Sequence, residues 1–144
     1  MDSKQKIKFD LKKVLQNEVN EIDGIAFSNI AYVLVFVGEI NLFTQHLFQD
    51  SFLVFKELKN SISKSGKYLL FTSVSGIADD AGWEYVEVLH EENSVTWNIQ
   101  RDNILLSYVF DRKDYLKEIL MIEKKIKNLN SNMKLEPSHV VYPE

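Results

Sequence analysis

Three segments in the second half of the chain alternate apolar and polar residues, and this pattern constrains the fold more than any other feature. They span about residues 83–90, 95–100 and 104–110. In the second segment Val95, Trp97 and Ile99 would share one face, with polar residues on the other. Such alternation is typical of antiparallel strands that have one face on a core. We therefore predict an antiparallel meander, with a tight turn at residues 101–103.

Two continuous apolar runs precede the meander, at residues 31–37 and 68–74. Both are rich in β-branched and aromatic residues, so each predicts a buried strand. After the first run, Gly38 and Glu39 can turn the chain, and residues 40–43 can return as a hairpin partner.

The N-terminal region is compatible with two structures. Ile7 and Phe9 alternate as in a strand, while Ile7 and Leu11 also fit one helical face. We favour a short strand at about residues 5–10, followed by a helical turn or a loop. Residues 20–28 have the composition of a turn.

Two helices complete the prediction. The first is expected over residues 50–65, with Asp50 or Ser51 as its cap, because apolar residues recur there at helical spacing. The second is expected over residues 111–129, with Asp111 as its N-cap.

These elements predict one α+β domain over residues 1–144. A mainly antiparallel sheet of about five to six strands would carry both helices on one face. Residues 1–4 and 131–144 are expected to be loose tails, although the second could dock as an irregular arm.

The composition bounds the class of function. The chain has no cysteine, which excludes disulfides, thiolate catalysis and Cys-ligated zinc. Its 17 basic and 21 acidic residues give a net charge of −4, which argues against nucleic acid as the main ligand. No apolar run approaches the roughly 20 residues of a membrane span, and no signal peptide is visible. We therefore expect a cytoplasmic protein without a membrane partner.

No known catalytic or metal-binding motif occurs in the sequence. His46, His90 and His139 lie far apart and fit no ligand spacing. Residues 65–67 lack the earlier glycine of a phosphate-binding loop, and residues 73–76 lack the glycine that precedes the serine of a nucleophile elbow. We therefore predict no catalytic residue, no metal ligand and no cofactor.

Negative charge is concentrated in residues 79–92, which contain no Lys or Arg. The acidic residues of this segment are Asp79, Asp80, Glu84, Glu87, Glu91 and Glu92. Such a run is most often a solvated face, but it can also dock a basic partner. Trp83, within the same segment, fits either the edge of the core or an exposed aromatic anchor.

Several segments resemble a group of small, mostly uncharacterised bacterial proteins with a Thr-Cys-x-Cys-Gly segment, a Cys-Ala-Gly segment and a strand carrying Trp. The matching segments are Leu70-Phe71-Thr72-Ser73-Val74-Ser75-Gly76, Asp80-Ala81-Gly82, Tyr85-Val86-Glu87-Val88 and Val95-Thr96-Trp97. Ser73, Ser75 and Asp80 occupy the cysteine positions of that group. Thiol-dependent chemistry therefore does not carry over, whereas the scaffold can.

In size, charge and architecture the chain also resembles immunity proteins of bacterial contact-dependent growth inhibition and other polymorphic toxin systems. This resemblance implies a non-enzymatic protein that binds and neutralises a cognate toxin domain. A nuclease toxin needs a basic groove, which an acidic inhibitor can occupy by steered association. The expected toxin-binding residues are the six acids together with Trp83 as an apolar anchor.

Two alternatives stay open beside the immunity hypothesis. The chain could be a structural or regulatory module that self-associates through an apolar sheet edge. It could also be a metal-binding protein or an enzyme that uses the acidic loop 79–92. The sequence leaves the oligomeric state open, and the N-terminal lysines could form the interface if the partner is acidic.

Overall fold

The computed structural model describes residues 4–143, apart from the side chain of Ala81, and has the predicted α+β class with mostly antiparallel sheets. Its strands are β1 (Ile7–Val14), β2 (Asn20–Ile22), β3 (Ile25–Phe27), β4 (Ile30–Val37), β5 (Ile40–Asn41), β6 (Ser51–Leu53), β7 (Gly66–Tyr68), β8 (Phe71–Ser73), β9 (Val86–His90), β10 (Ser94–Arg101), β11 (Ile104–Asp111) and β12 (Lys134–Leu135). Its helices are α1 (Phe55–Asn60) and α2 (Arg112–Lys127), with 3-10 turns at Leu42–Thr44, His46–Phe48 and Ala78–Ala81.

The predicted meander is confirmed as a sheet in the order β11-β10-β9-β7. Strand β10 pairs with β11 along its whole length, and Asp102 and Asn103 form the turn between them. Both turn residues have positive φ, at 52° and 64°, which is what a two-residue hairpin turn requires. Val95, Trp97 and Ile99 are fully buried on the inner face.

A second sheet contains β1, β4, β5 and β12. Strand β1 pairs antiparallel with β4 along its whole length, from Ile7 to Val14. The N-terminal strand is therefore longer than predicted, and the helical turn expected after residue 10 was wrong. Residues 20–28 form the short hairpin β2–β3 rather than an unpaired turn.

The single sheet of about five to six strands was wrong, because the described strands form two four-stranded and two two-stranded sheets. The run at residues 68–74 is split between two of them, since Tyr68 ends β7 while Phe71 begins β8. Between them, the carboxylate of Glu57 accepts the N–H of Leu69 at 2.9 Å. That amide is thus satisfied by a side chain, and the chain changes direction there.

The first predicted helix was also wrong in its bounds. Residues 51–53 form β6, which pairs with β8, and α1 covers only residues 55–60. Asp50 has a φ of 58°, a conformation that interrupts a helix rather than capping one. Pairing with a distant strand therefore overrode the helical spacing of the apolar residues.

Helix α2 is confirmed with its predicted cap. The carboxylate of Asp111 accepts the N–H of Asp114 at 3.1 Å, and the rings of Phe110 and Tyr115 stack with centroids 6.1 Å apart. The helix packs against β1, β10 and β11, and α1 contacts β7. No helix in residues 4–143 has both the length and the apolar character needed to cross a membrane.

Residues 131–143 dock as an arm, which is the second of the two possibilities expected for this region; they are not a loose tail. Strand β12 runs parallel to β4, and Glu136 donates its N–H to the carbonyl of Ala31 at 2.8 Å. Further along, Val141 donates to the carbonyl of Gly76 at 2.7 Å. Of the predicted N-terminal tail, Lys4 contacts Asn93, and residues 1–3 lie outside the described residues, as does residue 144.

Candidate binding surface

The six acidic residues predicted to bind a partner do not lie on one surface. Asp79 and Asp80 lie in the 3-10 turn before β9, whereas Glu91 and Glu92 follow the other end of that strand. An extended strand rises about 3.3 Å per residue, so Glu91 is roughly 13 Å further along than Glu87. The sequence cluster is therefore spread along the edge of the sheet.

Trp83 is a core residue, and its predicted role as an exposed anchor was wrong. Its side chain is only 1% exposed. The indole stacks on Phe71 with ring centroids 5.1 Å apart, and Nε1 donates to the Ser51 hydroxyl at 2.7 Å. Gly82, with a φ of 70°, ends the preceding 3-10 turn and redirects the chain at this point.

The buried indole of Trp83 supports a half-buried cation. The guanidinium carbon of Arg101 lies 4.3 Å from the centroid of the ring, a cation–π distance. Arg101 also donates a hydrogen bond to the carbonyl of Leu47. Burial lowers the pKa of Arg101, while the carboxylates of Asp102 and Asp50 act in the opposite direction.

Two acidic residues from separate chain segments, Asp50 and Asp102, lie close enough to Arg101 to act on its pKa, and Asp102 also approaches the acidic loop at Gly82. Asp102 Oδ1 lies 4.0 Å from where a β-carbon of Gly82 would be, and Asp50 precedes the serine that binds Trp83. We call this surface the acidic patch; its members, all exposed, are Asp50 and Asp102 together with Asp79 and Asp80 of the loop that contains Gly82. Sequence reasoning assigned Asp50 to a helix cap and Asp102 to a turn. No local pattern joins them to residues 79–84.

Exposed apolar side chains border the acidic patch, and we call them the apolar rim: Ile77, Tyr85, Val141 and Tyr142. Ile77 and Val141 are 38% and 44% exposed and pair in a parallel bridge directly before Asp79. Tyr85 and Tyr142 are each 41% exposed, and Tyr85 is close enough to raise the pKa of Tyr142, although burial is the main cause of that shift. The docked arm thus supplies part of this surface.

A chain of short hydrogen bonds holds the acidic loop. Ser73 Oγ lies 2.6 Å from Ser75 Oγ, and the Ser75 hydroxyl donates to the carboxylate of Asp80 at 2.7 Å. These are the three positions at which the resembling bacterial group has cysteine. The structure brings them together, and here they carry hydroxyl and carboxylate groups that position the loop.

Comparison with family models, curated proteins and solved structures gives no match for this chain. The two resemblances drawn from the sequence therefore stay predictions. Within residues 4–143, no three His, Asp or Glu side chains are grouped in a way that could hold a metal ion.

Glu87 belongs to a different environment, the outer face of the meander. Its carboxylate accepts the amide of Asn98 at 3.0 Å, and Asn98 in turn accepts the hydroxyl of Ser107 at 2.8 Å. Lys67 is its register partner on β7. Glu87 is therefore held in a polar row beside a cation and does not extend the acidic patch.

Glu91 and Glu92 lie near basic residues of α2. The guanidinium of Arg112 contacts the carbonyl of Glu91 at 3.4 Å, and Glu92 lines a cavity together with Arg112 and Lys113. The charge at this end of β9 is mixed. Glu84 lines a pocket together with Lys67 and Tyr85, so of the predicted residues only Asp79 and Asp80 form part of the acidic patch.

Proposed function

We propose that this protein is an immunity-type inhibitor that binds a basic toxin domain through the acidic patch. The observation that carries the proposal is that Asp50 and Asp102, from distant chain segments, both act on Arg101 next to the loop that carries the exposed residues Asp79 and Asp80. That arginine is half buried, stacked on Trp83 and bonded to Leu47. A single covered cation leaves an excess of negative charge at the surface.

The physical chemistry of the patch suits recognition of a basic groove. Clustered charges of one sign steer a complementary partner and raise the association rate. The apolar rim adds the second component of a protein interface, apolar area beside charged groups. In this proposal Ile77 and Val141, rather than Trp83, make the apolar contact with the toxin. Trp83 contributes indirectly, because its buried ring holds Arg101 in place.

The proposal is tested on the protein encoded immediately upstream, which should be a toxin with a basic domain. We expect a complex by calorimetry and rescue of growth when both proteins are co-expressed. The double variant Asp79→Lys/Asp102→Lys should weaken binding by about a hundredfold or more, because each reversal sets like charges against each other.

A matched control is Glu91→Lys, which reverses the charge of an exposed acid at the far end of β9, outside the patch. It should bind within about threefold of the unmodified protein, because its distance from the patch exceeds a Debye length at roughly 0.1 M salt. Equal losses in the control and the double variant would contradict a defined patch. An upstream product that neither harms cells nor binds would overturn the proposal itself.

A second candidate, self-association, is favoured by one observation. Leu105 is 72% exposed on the outer face of β11, and Leu89 is exposed on the same face of β9. In this sheet Thr96 of β10 lies between Val109 of β11 and Leu89 of β9. These side chains form a row across the outer face of the sheet with an apolar residue at each end. Sedimentation of the wild type and of Leu105→Glu distinguishes the candidates, since a dimer that the substitution dissociates supports self-association.

A further inference from the structure

A cavity of about 400 Å³ lies between the β9–β10 hairpin, the residues that follow α1, and the first turn of α2. It is on the side of the meander that carries Glu91 and Glu92, away from the acidic patch. Clefts of roughly 300–1,000 Å³ are typical of small-molecule sites in proteins. The proposed toxin binding makes no use of this cavity.

The wall of the cavity is mainly apolar, and Ile62 and Leu116 line it. His90 is also in the wall; its Nε2 lies 2.6 Å from the carbonyl oxygen of Ser61, and its buried Nδ1 has no hydrogen-bond partner among the described residues. Tyr115 also lines it, but its hydroxyl is already bonded to Ser61 at 2.6 Å and Trp97 at 3.1 Å. The tyrosine therefore adds no free polar group to the wall, and His90 is the side chain there with an unpaired polar atom.

The rim of the cavity carries two cations, Arg112 and Lys113. Backbone donors of the helix are mostly used, since Asn93 accepts the N–H of Arg112 at 3.1 Å and Asp111 accepts that of Asp114. The attraction for an anion therefore comes from the side chains. Lys113 forms no ion pair with any described residue.

The acidic residues of the rim limit how much negative charge a ligand can bring. Asp111 is paired with Lys4 at 3.7 Å and caps the helix, so its charge is already offset. Glu92 lines the cavity and has no cation paired with it among the described residues. A second negative charge on the ligand would be repelled by the carboxylate of Glu92, so the cavity favours a ligand with a single negative charge.

We propose that this cavity binds a small organic anion that carries one carboxylate or sulfonate group on an apolar body of one or two aromatic ring systems. The acidic group would pair with Lys113 and Arg112, while the rings would pack on Ile62 and Leu116. This inference does not depend on the proposed toxin binding, and either can fail without the other.

The test uses 1-anilinonaphthalene-8-sulfonate, whose two ring systems and single sulfonate match this chemistry and whose fluorescence rises on binding. We expect saturable binding to one site with a dissociation constant on the order of 10–100 μM. Biphenyl-4-carboxylate should displace the dye, and the uncharged biphenyl-4-carboxamide should need an about tenfold higher concentration.

The variant Lys113→Glu should weaken dye binding about tenfold or more, because it places a carboxylate where the sulfonate binds. Its matched control is Lys117→Glu, the same change one turn along α2 and outside the cavity lining. A second variant, Ile62→Trp, should abolish binding by filling the cavity, with thermal unfolding used to verify that it folds.

Amide chemical shifts locate the bound dye. We expect changes at Glu92, Val95 and Leu116. Changes centred instead on Leu120 and Met121, on the exposed side of α2, would overturn the proposal. So would equal affinities of the two lysine variants, unaltered binding to Ile62→Trp, or no saturable binding below about 1 mM.

Discussion

Tyr115 joins three elements through a directional series of hydrogen bonds. Trp97 Nε1 donates to the tyrosine hydroxyl at 3.1 Å, and Ser61 Oγ lies 2.6 Å from the same oxygen. Because the serine hydroxyl donates to the carbonyl of Leu58 at 2.5 Å, the tyrosine is the donor to the serine. Every member of this buried series is satisfied, and it ties β10 to α2 and to the end of α1.

The free energy of unfolding should fall at high pH as the buried phenol of Tyr115 loses its proton. Burial raises the pKa of this phenol from 10.0 to about 12. The folded state holds the proton more tightly than the unfolded chain, so this contribution is complete below pH 10 and is lost as the pH rises towards 12. Urea denaturation across this range should show a smaller decline for Tyr115→Phe than for the wild type.

At neutral pH the same variant should be less stable by about 1–3 kcal/mol, because Trp97 Nε1 loses its acceptor. Parallel declines for variant and wild type above pH 10 would contradict the assignment to this residue.

Thr72 presents the opposite case, a buried hydroxyl with no hydrogen-bond partner in the described residues. Thr72→Val keeps the β-branched shape that suits strand β8 and removes the desolvated hydroxyl. We expect a gain in unfolding free energy of about 1 kcal/mol, measured from the urea midpoint. Thr96→Val, at a partly exposed site, is the control and should change stability by less than about 0.5 kcal/mol. A loss of stability in Thr72→Val would show that the hydroxyl has a partner.

At the scale of elements, the C-terminal arm depends on a close approach to Gly76. A β-carbon at this position would collide with the carbonyl oxygen of His139, and the φ of +85° already disfavours any other residue. Gly76→Ala should therefore release the arm, which Val141 holds through its bonds to Gly76 and Ala78.

Hydrogen exchange measures this release. The amides of Val141 and Ala78 should exchange faster in Gly76→Ala than in the wild type. Gly38→Ala is the control, because Gly38 also has positive φ, at +63°, but open space around it. It should cost stability while leaving the two amides protected. Unchanged exchange in Gly76→Ala would mean that the arm is held elsewhere.

At the scale of the whole molecule, the clustering of carboxylates in the acidic patch predicts how the association rate depends on salt concentration. The acidic patch combines Asp50 and Asp102 with residues 79–80, so the attraction for the proposed basic partner would act over the patch as a unit. If the proposed toxin is the partner, raising the salt from about 50 to about 500 mM should slow its association at least tenfold and alter dissociation less. Stopped-flow measurements give both rates. Unchanged association across this range would refute electrostatic steering.

The parts of the fold predicted correctly are those whose signals are local. The meander is encoded in the alternation of Val95, Trp97 and Ile99 with polar neighbours, and a helix start is encoded in Asp111 and the Phe110–Tyr115 contact. Each signal involves residues within a few positions of one another, where backbone periodicity alone decides which side chains share a face. The run at residues 68–74 carries no such information, because both of its halves are apolar and pair in different sheets.

The sequence by itself determined the α+β class, the meander, helix α2 and the excess of negative charge near residue 80. Tertiary structure alone decided the surroundings of that charge. It turned Trp83 inward onto Phe71, placed Glu87 in a polar row and brought Asp50 and Asp102 to Arg101. The reason is physical: these positions depend on contacts between segments that lie tens of residues apart, and burial of the large rings in one core selects those contacts.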